Sequence, residues 1–288
     1  MAIPSRIDGQ KAGRLEKAAS SHLIGFMRNH ACIGARSLAE RSLLRGPEPG
    51  TGAETATDVE QALFFALYPD MHTVETALAF VTDIEDYFFH SDPLDEVMKS
   101  FVAIFWGHVA TSQNEFAKDY WDFAQTVSDI SLLSHKWPPN IGRRVSDTDF
   151  ELCLVGRPIF TTTLNNGSPR IMRRFTSSWV MNQTSQFDAL RRRNHFVSWQ
   201  SSIRKMDSEL DPSGEPNPVL ADHGTSSAAP QLAGSSLSNL NFTVPEDYAD
   251  IVSRGEKLLH RAHLEGCNSG TIIELEARID RCRSMNTP

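Results

Sequence analysis

FELCLVG (Phe150 to Gly156) and PIFTTTL (Pro158 to Leu164) are the two runs whose reading decides the fold. Both are short, apolar and rich in β-branched residues, and only Gly156-Arg157 separates them, so they read as a tight β-hairpin. With Ser177 to Met181 as a third strand they give a small, mostly antiparallel sheet. The run SFVAIF (Ser100 to Phe105) adds a buried strand, because β-branched and aromatic residues fit a pleated surface better than a helix.

Helical spacing dominates elsewhere. Helices are expected at Leu15 to Leu44 with a break near Asn29 to Cys32, at Thr57 to Tyr68, at His72 to Tyr87 and at Glu115 to Leu133, the last with Ser112 or Asn114 as cap. WPPN (Trp137 to Asn140) ends any helix, since proline donates no amide proton. Further helices are expected at Gln183 to Arg193, Phe196 to Leu210, Glu246 to Leu264 and Ser269 to Arg283, with loops at Gly46 to Glu54 and Asp211 to Asn241. The fold class is therefore α+β: a small, mostly antiparallel sheet surrounded by helices, with a C-terminal helical extension. Residues 1–240 are read as one α+β domain, with 211–240 a long loop, and 241–288 as the helical extension.

Composition narrows the function classes. At 288 residues and 40% hydrophobic content the chain can bury a large core, and its net charge of −8 argues against non-specific nucleic-acid binding. No apolar run reaches the ~20 residues that span a bilayer, and the N-terminus lacks the apolar core of a signal peptide, so a cytoplasmic protein with no membrane partner is expected. Cys32, Cys153, Cys267 and Cys282 have no CxxC spacing and read as ordinary thiols. There is no GxSxG motif, and GTGAE lacks the lysine of a phosphate-binding loop.

Three of the ten histidines stand out: His30 beside Cys32, His108 after a strand, and His223 between Asp222 and Gly224. A loop histidine there can ligate a metal or shuttle protons; hydrogen bonding to backbone is the plain alternative. Arg170 and Arg174 punctuate an apolar context, so an acidic ligand or a haem propionate suits them, while for Arg191 to Arg193 a solvated face is an equal reading.

The order of motifs from Asp149 to Gly234 resembles the YqcI/YcgG-like family, whose characterised members are haem-dependent N-oxygenases of guanidino groups. HACIGAR (His30 to Arg36), SFVAIF, Trp121 with Asp129, and FELCLVGRPIF carry the first part of the likeness. SPRIMRRF (Ser168 to Phe175), NQTSQFDALR (Asn182 to Arg191), IRKMD (Ile203 to Asp207) and NPVLADHG (Asn217 to Gly224) carry the rest. Asn165 and Thr184 stand where the family pattern has histidine, and SAAPQLAGS replaces a segment richer in charge.

The resemblance implies a divergent member: a haem b enzyme that hydroxylates nitrogen, or a nearby carbon, of a guanidino or amino compound in secondary metabolism. His223 would be the iron ligand, with His30 and His108 in reserve, and Arg170 and Arg174 would meet propionates or a substrate carboxylate. Asp207 or Asp222 would receive the guanidinium. A small-molecule substrate and an electron donor are the implied partners, and a homodimer is left open. Two alternatives remain: a non-catalytic relative that keeps the scaffold and works by binding, and an enzyme without a cofactor.

Overall fold

The computed structural model describes residues 18–19, 21–23, 25–28, 63–90, 99–220, 227–235 and 242–285. Five strands, β1 (Leu63–Tyr68), β2 (Ser100–Phe105), β3 (Leu152–Leu154), β4 (Arg157–Leu164) and β5 (Ser178–Gln183), form one sheet in the order β1-β2-β5-β4-β3. β1 and β2 run parallel, and the other neighbours are antiparallel. Around the sheet lie α1 (Val74–His90), α2 (Gln113–Leu132), α3 (Thr184–Arg192), α4 (Phe196–Leu210), α5 (Ala229–Ala233), α6 (Tyr248–Glu265) and α7 (Ser269–Ser284). The α+β class expected from the sequence is the one observed.

One expected helix is a strand. Of Thr57 to Tyr68, residues 57–62 lie outside the described residues, and LFFALY is β1, paired residue by residue from Leu63 opposite Ser100 to Tyr68 opposite Phe105. An apolar run this short carries no decisive period, and the tertiary pairing decides it. The expected helix at Leu15 to Leu44 falls mostly outside the described residues, although those described between 18 and 28 are helical.

The hairpin is present, but its turn lies one residue earlier than expected. Leu154 pairs with Arg157, so Val155 and Gly156 make the turn, with φ of 54° and 70°. Positive φ at both central residues is the sign of a type I′ turn, whose twist matches the strands it joins. Val155 is β-branched and strained in this conformation; its amide is fixed by donating to Ser131 Oγ at 2.8 Å.

Both faces of the sheet are covered. On one side Phe101, Ala103 and Phe105 of β2 meet α1 and α2 in the main core, where Trp179 packs 4.4 Å from Tyr120 and 5.3 Å from both Phe80 and Phe123. On the other, Val102 and Ile104 meet Leu23, Met27 and Phe175. That two-sided burial explains why β2 lacks an apolar–polar alternation.

The two C-terminal helices pack on this core. Leu258, Ala262 and Leu275 join the main cluster, and Arg278 forks onto Glu85 of α1 with two 2.8 Å bonds. Within the loop expected at Asp211 to Asn241, residues 221–226 and 236–241 lie outside the described residues, and a short helix, α5, is closed by Gly234 at φ 70°.

Candidate functional site

The residues singled out in sequence divide into those placed and those not. His30, Asp222 and His223 lie outside the described residues. Arg170 and Asp207 lie against each other: the Arg170 guanidinium reaches Asp207 Oδ2 at 2.6 Å and Asp211 Oδ2 at 3.2 Å. It also donates to the carbonyls of Glu215 and Asp207. Arg174 donates through Nε and Nη2 to the carbonyls of Ser168 and Pro169 at 2.8 and 3.0 Å. The carboxylate expected to receive a substrate guanidinium thus holds one from its own chain; Arg170 fastens the loop between β4 and β5 to the end of α4, and Arg174 closes that loop on itself.

Between them, Arg173 is buried and donates to the Gln231 carbonyl at 3.2 Å. Burial pushes its guanidinium down to about 10, with Asp207 pulling the other way and Arg170 adding to the fall. The two positions that replace family histidines are also internal. Asn165 is fully buried, its amide side chain donating to Gln113 Oε1 at 3.1 Å, and the Thr184 hydroxyl donates to the Glu151 carboxylate.

A different convergence forms at the carboxyl ends of the parallel pair, the place where open α/β sheets gather ligand-binding loops. After β1 the chain turns at Pro69; after β2 it turns at Gly107, whose amide donates to the Pro69 carbonyl at 2.9 Å. A Cβ on residue 107 would stand 2.3 Å from that oxygen, so only glycine lets the two turns approach this closely. The β1 turn presents His72 and the β2 turn His108, while the first half of α2, started by the Ser112 cap, presents Asp119.

His108 is buried at 5% exposure, with Nε2 3.0 Å from Asp119 Oδ2 and Nδ1 2.8 Å from Ser177 Oγ. A carboxylate only accepts, so Nε2 carries the proton toward Asp119 and Nδ1 accepts from the Ser177 hydroxyl. His72 lies at the solvent side, its ring 5.4 Å from that of His108. One ligand atom from each of His72, His108 and Asp119 lies within 4.8 Å of the others. His108 was singled out from the sequence; His72 and Asp119 were not, because no short motif joins three residues drawn from separate segments.

An open groove between α6 and α7, of about 360 Å³, is lined by Tyr248, Val252, Cys282 and others, and is spanned by the 2.6 Å Arg283–Glu256 ion pair. No helix among the described residues is long and apolar enough to cross a membrane.

Neither the curated proteins nor the solved structures contain a match to this chain. The sequence pattern of one family does match, over residues 47–245, which takes in all five strands and the Arg170, His108 and Asn165 neighbourhoods just described. The chain belongs to the YqcI/YcgG family.

Proposed function

We propose that this protein is an oxygenase-like enzyme that hydroxylates nitrogen, or a nearby carbon, of a guanidino or amino group on a small molecule, acting in the cytoplasm with an electron donor. The observation that carries the proposal is the family match across residues 47–245. Haem b is the group this reading implies, and it would supply oxygen activation.

The described residues do not fit haem where the resemblance places it. Arg170 is held by two carboxylates and Arg174 by two carbonyls, so neither offers a free fork to a propionate. His108 Nε2 faces the Asp119 carboxylate at 3.0 Å, so an ion there would share that carboxylate rather than meet the open face a porphyrin needs. The reading therefore rests on His223 as the iron ligand, with His30 in reserve, both outside the described residues.

A second reading, a relative that keeps the scaffold and works by binding, is favoured by Asn165 and Thr184, whose side chains bond within the chain where the family pattern has histidine. Absorption spectra of protein expressed with a haem supply separate the two. A Soret band that is lost in His223→Ala supports the first reading; no band in either the oxidised or the reduced state overturns it.

A further inference from the structure

We propose that His72, His108 and Asp119 form a binding site for one divalent first-row transition ion, independent of the haem reading. Two imidazoles and one carboxylate suit zinc or ferrous iron, and three protein ligands leave coordination positions for water or substrate.

Three features favour a built site over a buried histidine with a chance neighbour. The first is orientation: the Ser177 hydroxyl at Nδ1 fixes the His108 ring and leaves Nε2 as the ligand atom, the arrangement in which an outer partner sets a ligating histidine. Ser177 is itself fixed, its carbonyl accepting from the Phe105 amide at 2.8 Å. On metal binding the His108 proton moves from Nε2 to Nδ1, and Ser177, able to donate or accept, turns from donor to acceptor.

The second is the fixed backbone of His72. Asp70 Oδ1 accepts from the amides of His72 and Thr73 at 2.7 and 3.2 Å, and Arg261 binds the His72 carbonyl. The Arg261 charge is answered by Glu265 at 2.6 Å, so it does not face the ion uncompensated. The third is access: the site grades from buried His108 through half-buried Asp119 to exposed His72, which gives an ion a way in.

The test is a Co²⁺ titration of chelator-stripped full-length protein prepared without haem, followed by visible d–d absorption, with Zn²⁺ as competitor. One equivalent should bind and be displaced by Zn²⁺. Ser177→Ala should weaken binding roughly 10- to 100-fold, and His72→Ala by more, since it removes a ligand rather than its support. His72 is exposed, so its variant stays folded even where Asp119→Asn does not. His263→Ala, an exposed histidine elsewhere, should leave the titration unchanged. Absence of a stoichiometric band, equal binding by wild type and His72→Ala, or loss of binding in His263→Ala would each overturn the site.

Discussion

The Arg170 cluster and the His108 cluster are both made of charged or ionisable side chains where loops meet helices, yet one is closed and the other is open on one side. Around Arg170, two carboxylates and two carbonyls surround the guanidinium, and the side chains of Arg170, Asp207 and Asp211 are all about nine-tenths buried. Around His108, two imidazoles and a carboxylate converge with an exposed member, held by residues that do not themselves ligate. Charge density in a sequence marks the first kind of cluster as readily as the second. What separates them is whether the charged groups pair with opposite charges inside the chain or leave a member facing solvent.

The strongest way to break that comparison is Arg170→Ala. It leaves Asp207 and Asp211 facing each other with little solvent, and removal of one partner from a buried ion cluster costs about 3–5 kcal/mol. Arg170→Lys should recover only part of it, because a point charge does not reproduce the fork. Urea unfolding at neutral pH measures both. A loss in Arg170→Ala below about 1 kcal/mol would show that the cluster is not structural, and would return Arg170 to the list of ligand-binding residues.

A second closed cluster offers a comparison by pH. Burial alone would raise the Glu85 carboxyl, but the Arg278 fork and His135 at 3.0 Å outweigh it and bring it from the usual 4.5 to about 2. A lowered acid contributes stability that is present above pH 4.5 and lost as the pH falls through 2. Glu85→Gln should therefore cost on the order of 3 kcal/mol at pH 7 and very little near pH 2. Asp83 has the opposite sign: burial, offset by the Tyr68 hydroxyl at 2.6 Å, pushes it up to about 6, so its contribution falls as pH rises from the usual 3.8 through 6. A pH-independent Glu85→Gln difference would show that the C-terminal helices are not docked through this pair.

The fold was legible in sequence wherever burial was uniform or helical period was long. SFVAIF is a strand over the expected residues because it is apolar on both faces, and Phe196 to Leu210 is a helix over the expected residues. β1 is a strand where helical spacing is expected, because six apolar residues fit either period and only pairing with β2 resolves them. The hairpin turn is displaced because Val155, not Arg157, joins Gly156 in it, and a valine at positive φ is not anticipated from propensity. Of the sites, Arg170 and Asp207 were both noticed, but their pairing joins the turn around Ile171–Arg173 to α4 and is a tertiary fact. His72 and Asp119 carried no local signal, since neither is near His108 in the chain.

Gly107→Ala tests the open cluster through its frame. The new methyl must move against the Pro69 carbonyl, which is backbone and does not rotate away, so the turns bearing His72 and His108 separate. Overpacking of this kind costs about 1–3 kcal/mol. Thermal unfolding measures that loss, and amide exchange at Trp106 and Gly107, whose protons bond across to Tyr68 and Pro69, should rise with it. Unchanged exchange at both amides would mean that this contact does not set the spacing of the two loops.

The smallest expected stability effect is the sharpest contrast. His72 is exposed and its side chain fills no core space, so His72→Ala should change unfolding free energy by less than about 0.5 kcal/mol. Every truncation in the Arg170 cluster costs stability, because those side chains exist to satisfy one another. In the open cluster the exposed member contributes almost nothing to the fold, so its conformation is maintained by Asp70 and Arg261 at the backbone rather than by packing of the imidazole. Chemical denaturation of His72→Ala beside wild type checks this. A loss of 1 kcal/mol or more would place His72 among structural side chains and erase the distinction between the two clusters.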